Sequence, residues 1–161
     1  MTKINHELPR SGKYQITVGE LLVSAQSKLR PISDSPLLDS QILMAAVTNR
    51  DREWLIAHRE HQLDKDITDR FEILLERRLI GEPMAYIRGS QEFWQHTFVV
   101  GPEVLIPRPE TELLVEILLE HLEPHQQQIL DLGTGSGAIG ISLAAERNAW
   151  FVRGIDINEA A

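Results

Sequence analysis

Three glycines at alternate positions, Gly133, Gly135 and Gly137, follow the run Ile129-Leu130-Asp131-Leu132 and precede the apolar stretch that opens at Ala138. One glycine serves a turn; three so closely spaced strip side chains from a surface and let the backbone approach a ligand. The pattern therefore predicts a strand, a glycine loop and a helix in that order. A loop leading into a helix offers backbone N–H groups and the positive end of the helix dipole, which suits a carboxylate, a phosphate or a ribose hydroxyl. Gly135-Ser136-Gly137-Ala138-Ile139-Gly140 fits the dinucleotide pattern G-x-G-x-x-G, and Asp156 lies 19 residues after Gly137, where that pattern places its ribose acid. Against this stands a plainer reading, in which the glycines only pack a helix on a strand and Asp131 and Asp156 only cap turns. Two acids at the ends of two adjacent strands favour the ligand.

The flanking sequence sorts into two kinds of periodicity. Thr17 and Glu20 have the spacing of a capping box, and Leu21, Leu22, Ala25 and Leu29 recur at helical intervals. Residues up to about Gln15 are expected to form a loose tail. Ser35-Pro36 suits an N-cap with proline at the first helical position, which predicts a helix at about 36–48 with Leu38, Ile42, Ala45 and Ala46 as its stripe. Asp51 caps a short helix carrying Trp54, Leu55 and Ile56. Ile67, Phe71, Leu74, Leu75 and Leu79 then mark a helix from Asp66 to Ile80 that Gly81 ends.

From Met84 onward, Tyr86-Ile87-Arg88-Gly89 and Phe93 to Val100 are rich in β-branched and aromatic residues, with Gly101-Pro102 as a turn, and predict a hairpin. Pro107 and Pro109 bar a continuous helix. Leu113, Leu114, Ile117, Leu118 and Leu122 mark a helix over Glu110 to Leu122, followed by a strand at about 128–132, a helix at about 138–147 and a strand around Trp150 to Ile157. The last three make one βαβ unit.

Composition narrows the partners. The 161 residues carry 16 basic and 24 acidic side chains, a net charge of −8 that opposes binding a nucleic acid by electrostatics alone. No apolar run reaches the roughly 18 residues of a membrane span, and the opening residues lack the apolar core of a secretory signal. Without cysteine there is no disulfide framework and no thiolate metal site. The expectation is a cytoplasmic protein with no membrane and no direct nucleic acid partner.

The longer pattern Asp131-x-Gly133-x-Gly135-x-Gly137 resembles motif I of class I methyltransferases that use S-adenosylmethionine. The segments Gly81 to Gly89, Glu92-Phe93-Trp94 and Leu105 to Glu112 further resemble the region before motif I in the bacterial release factor glutamine methyltransferases, the PrmC or HemK family. The resemblance covers the chain from about Thr17 onward. It implies transfer of a methyl group to the side-chain amide nitrogen of the glutamine in the Gly-Gly-Gln motif of peptide chain release factors. By the same resemblance Asp131 sits beside the amino acid end of the cofactor, Gly133, Thr134, Gly135, Ser136 and Gly137 form the binding loop, and Asp156 accepts hydrogen bonds from the ribose. That family orients the substrate amide with an Asn-Pro-Pro-Tyr motif, and this chain reaches Asn158-Glu159-Ala160-Ala161 before any such motif. No catalytic residue is therefore assigned, and the chain alone is expected to be the inactive front part of such an enzyme.

The expected fold class is α/β. It comprises an N-terminal helical substrate-docking domain at 1–83, a β-hairpin linker at 84–107, and at 108–161 the first βαβ unit of an incomplete Rossmann-like methyltransferase domain. Residues beyond about Gln126 are expected to be the less stable part, because a two-stranded parallel unit leaves an open edge and an uncovered face. A nicotinamide-dependent oxidoreductase and a noncatalytic release-factor-binding module are the alternatives. His58 and His61 lie three residues apart but lack a third ligand, and are expected on the surface without a metal. Phe93, Trp94 and Phe98 are expected to pack in a seam between domains, Arg88 and Arg108 to meet linker acids or a ligand, and Glu110, Glu112, Glu116 and Glu120 to form a solvated helix face.

Overall fold

The computed structural model describes residues 15–161, so the tail expected up to Gln15 falls, apart from Gln15 itself, outside the described residues. The chain separates into two compact units, Met1–Leu79 and Ile80–Ala161.

The first unit is a bundle of four helices, α1 (Val18–Leu29), α2 (Pro36–Thr48), α3 (Arg52–Ala57) and α4 (Lys65–Leu79). The capping box at α1 forms as predicted: Glu20 N–H donates to Thr17 Oγ1 at 3.3 Å and Thr17 N–H donates to Glu20 Oε2 at 2.9 Å. Two further orphan donors at this helix end are met by the segment before α4, with Val18 N–H on the His61 carbonyl and Gly19 N–H on that of Arg59. Asp51 caps α3 by accepting from Trp54 N–H at 2.7 Å. Ser35 stands at the N-cap of α2, with Pro36 behind it, yet its side chain makes no capping bond.

The predicted stripe of α2 is corrected. Leu38 and Ala46 are exposed and Ile42 and Ala45 are half-buried, whereas Asp39, Ser40, Leu43, Met44 and Val47 face the core. The reason is Asp39: its Oδ2 accepts from Arg78 Nε of α4 at 2.8 Å and from Ser33 Oγ at 2.9 Å, so a charged residue sits on the buried face. Leu21, Leu22, Ala25 and Leu29 of α1, Leu55 of α3, and Phe71 and Leu75 of α4 are buried in the same unit. His58 and His61 are exposed, stacked on and edge-on to the Trp54 ring.

The second unit begins with a helical turn, α5 (Met84–Arg88), in a stretch read as strand from the sequence. Local caps outweigh the β-branched content here. Pro83 supplies the carbonyl that accepts from Tyr86 and Ile87 N–H, Gly89 closes the turn in the left-handed region at φ +72°, and Ala85 and Ile87 are buried. The hairpin is β1 (Ser90–Phe93) against β2 (His96–Val99), antiparallel, with Phe93 opposite His96. Its reversal falls at Trp94-Gln95, with Trp94 at φ +56°; the turn at Gly101-Pro102 follows the hairpin instead.

A 3₁₀ turn at Pro109–Thr111 leads into α6 (Glu112–His121), after which β3 (Gln128–Leu132), α7 (Ala138–Glu146) and β4 (Phe151–Ile155) form the predicted parallel βαβ unit. Phe93, Phe98, Val115, Ala138, Leu143 and Trp150 make its core, so the hairpin aromatics pack inside this unit. Trp94 is half-buried beside them and its Nε1–H donates to Glu146 Oε1 at 2.7 Å. The predicted stripe of α6 is displaced: Leu113, Leu114 and Ile117 are exposed, and Val115 is buried with Leu118, Leu119 and Leu122 packed beside it. Glu112 departs from the solvated face, its Oε1 accepting from Trp94 N–H at 2.8 Å. Arg88 meets a linker acid only loosely, 3.9 Å from Glu92.

Candidate functional site

The glycine loop bridges the C-terminal end of β3 and the start of α7. Gly133, Gly135 and Gly137 all have positive φ, at +72°, +51° and +76°, a conformation that side-chain-bearing residues rarely adopt. A Cβ added at Gly133 would meet nothing within 4 Å, and one at Gly135 would make only an ordinary contact with Val104 Cβ at 3.9 Å. Gly133 and Thr134 N–H both donate to the Ile155 carbonyl, at 2.8 and 3.1 Å, which ties the loop to the end of β4. Ser136 N–H meets no acceptor among the described residues. It is a donor left for solvent or a ligand at the N-terminus of α7.

Two carboxylates brace the loop from opposite sides. Asp131, at the end of β3, accepts on one oxygen, Oδ2, from Thr134 Oγ1 at 2.8 Å and from Gly140 N–H at 3.2 Å. Since the N-cap of α7 is Gly137, which has no side chain to cap with, Asp131 caps the helix from the neighbouring strand. Asp156, just past β4, accepts from Gly135 N–H on Oδ2 at 2.8 Å and from Asn158 N–H on Oδ1 at 2.9 Å. The N–H groups of Asn158 and Gly135, in that order, hold its carboxyl below the ordinary aspartate range. It remains exposed, and its further lone pairs stay open to hydroxyl donors.

All seven site residues singled out in the sequence thus lie on this loop or at the two strand ends that hold it. A cavity of about 420 Å³ opens beside them, lined by Gly135, Ser136 and Gly137 on the loop side and by Gly101, Glu103 and Val104 across from it. Tyr86 Oη donates to the Val104 carbonyl at 2.8 Å, and Asn158 Nδ2 donates to the Glu103 carbonyl at 2.8 Å, which fix that opposite wall. Glu103, Val104 and Asn158 were not candidates from the sequence. Asn158 left a signal: an acid two residues before an asparagine is the spacing of an Asx turn. Gly154 left another, since an isolated glycine in a strand marks a close approach.

A larger groove of about 510 Å³ runs along the first unit beside Thr17, Gly19, Glu20 and Arg59. Its Thr17 and Glu20 side chains are already bonded to one another in the capping box. Among the described residues no group of three or more histidines and acids could hold a metal ion, and no helix is long and apolar enough to cross a membrane.

Residues 20–89 match the PrmC N-terminal domain family and residues 110–161 match the methyltransferase small domain family. The chain is 46% identical over 138 residues to the release factor glutamine methyltransferase of Aliivibrio fischeri, covering 86% of this chain and 49% of that protein. It is 40% identical over 147 residues to the protein of the same name in Coxiella burnetii, covering 91% of this chain and 53% of the relative. With that of Escherichia coli it shares 47% identity over 115 residues, or 71% of this chain and 42% of the relative. The chain spans about half the length of these curated relatives.

Proposed function

We propose, for a chain that belongs by sequence with the release factor glutamine methyltransferases, that the second unit carries the cofactor-binding half of a protein-glutamine N5-methyltransferase. The observation that carries this reading is the pair of carboxylates at adjacent strand ends, Asp131 and Asp156, holding between them a glycine loop with an open backbone face. S-adenosylmethionine has a group for each feature: an amino acid end with an ammonium, a ribose with two hydroxyls, and a carboxylate suited to N–H donors at a helix start. In the proposal Asp131 Oδ1 takes the ammonium, Asp156 takes the ribose hydroxyls, and Ser136 N–H with the α7 dipole takes the carboxylate.

When bound, the cofactor supplies an electrophilic methyl group on a sulfonium. The acceptor is the side-chain nitrogen of the glutamine in the Gly-Gly-Gln motif of a release factor, a poor nucleophile because its lone pair is delocalised into the amide. Orientation in line with the methyl–sulfur bond is therefore what the protein must add. The residues described around the loop bind and hold; none of them is assigned to orient the amide. The helices of the first unit are proposed to dock the release factor.

Titration of the chain with S-adenosylhomocysteine, followed by amide chemical shifts, tests the reading. Saturable shifts at Gly135, Ser136 and Asp156, lost in Asp156→Ala and not produced by NAD, are expected. NAD binding at those amides, or no shift with S-adenosylhomocysteine at millimolar concentration, would overturn it. Capture of a release factor by the chain without cofactor tests the docking role.

A further inference from the structure

Thr134 lies in the glycine loop, yet its side chain turns away from the open face and back onto the strand ends. Its hydroxyl donates to Asp131 Oδ2 at 2.8 Å, the same oxygen that accepts Gly140 N–H. Its remaining atoms lie over Gly154, which is paired with Asp131 in the β3–β4 register. A Cβ on Gly154 would stand 2.8, 2.9 and 3.0 Å from Thr134 Oγ1, Cγ2 and Cβ, and a Cβ on Gly140 would stand 3.2 Å from Asp131 Oδ2. Two glycines thus clear the notch in which a threonine and a carboxylate meet. With both bonds on Oδ2, Asp131 Oδ1 accepts no hydrogen bond among the described residues.

We propose that Thr134 is a positioning residue: seated in the notch that Gly154 leaves, its hydroxyl locks the Asp131 carboxylate with Oδ2 committed to the loop and Oδ1 presented as the acceptor for a ligand ammonium. The ligand half of this proposal rests on the cofactor reading of Asp131 given above; the lock itself does not. A threonine that touches no ligand then sets how tightly the amino acid end is held. Valine in its place keeps the shape and loses the donor, and serine keeps the donor.

The experiment uses the labelled 161-residue chain. Without ligand, side-chain scalar couplings of Asp131 report one χ1 rotamer in the wild type and in Thr134→Ser, and averaging in Thr134→Val and in Gly154→Ala. With ligand, Thr134→Val lowers the affinity for S-adenosylhomocysteine about fivefold, the scale of one lost hydrogen bond. The same variant leaves methylthioadenosine, which lacks the amino acid end, within about twofold. Thr134→Ser restores both values. Unchanged Asp131 couplings in Thr134→Val, or equal losses for the two ligands, would overturn the proposal, since general damage to the loop weakens both alike. If the wild type holds S-adenosylhomocysteine no more tightly than methylthioadenosine while Thr134→Val still averages the Asp131 rotamer, the lock stands and the cofactor reading of Asp131 falls.

Discussion

The first unit closes its core on itself, and the second covers one side of its sheet. In the helical unit Leu29, Leu43, Met44, Leu55 and Phe71 are fully buried, and Asp39, the one buried acid among its described residues, is paired. In the second unit the register places Gln128, Leu130 and Leu132 beside Phe151, Arg153 and Ile155 on one face, while Ile129, Asp131, Val152 and Gly154 face α7. Leu132 is 69% exposed and Phe151 57%, with the Arg153 guanidinium 5.7 Å from the Phe151 ring centre as partial cover. A helix bundle completes itself through local periodicity. A parallel sheet needs a layer on each face, and here α7 supplies one.

The largest test of that contrast is a matched pair of truncations in one denaturant series. Phe71→Ala is expected to destabilise the helical unit by about 3–5 kcal/mol through the cavity it leaves. Leu132→Ala, on the open face of β3, is expected to stay within about 0.5 kcal/mol. A loss above ~1.5 kcal/mol at Leu132 would break the comparison, because it would mean that something covers this face. Next in size is Asp39→Ala, which removes the buried acid held by Arg78 and Ser33 and is expected to cost about 3 kcal/mol. Asp39→Asn, which keeps the shape and one acceptor, should cost less, and equal losses would assign the effect to charge alone. Hydrogen exchange sharpens the contrast further: amides of β3 and β4 are expected to exchange before those of α1, α2 and α4.

How far the sequence could be read follows the same division. The start of α1, and both ends of α2, α4, β3 and α7, were legible within a residue or two because they are punctuated locally, by Thr17, Ser35-Pro36, Gly81 or the glycine loop. What periodicity missed depended on partners remote in sequence. The buried face of α2 turns on Asp39, which reads as a surface residue until Arg78 of α4 pairs with it. In α6 the apolar residues Leu113, Leu114, Val115, Ile117, Leu118 and Leu119 offer more than one stripe, and packing against Phe93, Phe98 and Leu143 selects the one through Val115. Trp94 does not look like a turn residue; bonds to Glu112 and Glu146 hold it at positive φ. The placement of the five loop residues and the two strand-end acids was legible because glycine and acid spacing encodes a backbone shape. The opposite wall at Glu103 and Val104 was not, since it is brought to the loop by tertiary bonds from Tyr86 and Asn158.

The smallest expected effect lies in two exposed carboxylates, one in each unit. Glu20 is held below the ordinary glutamate range by the backbone N–H and then the hydroxyl of Thr17, and Asp156 below the ordinary aspartate value of 3.8 by the N–H groups of Asn158 and Gly135. For an acid whose folded pKa is depressed, the stabilisation is fully present above the unfolded pKa and is lost as pH falls through the folded one. Both contributions are therefore intact at neutral pH and vanish only in acid. At Glu20 the loss frays the first turn of α1; at Asp156 it releases Gly135 N–H and loosens the glycine loop. The Gly135 amide shift should titrate with a midpoint below 3.8, and Asp156→Asn should abolish that titration while leaving the Glu20 step seen at Thr17 N–H in place. A Gly135 midpoint at or above the ordinary value would mean that Asp156 does not brace the loop in solution, and would remove the carboxylate from the side of the comparison that matters for ligand binding.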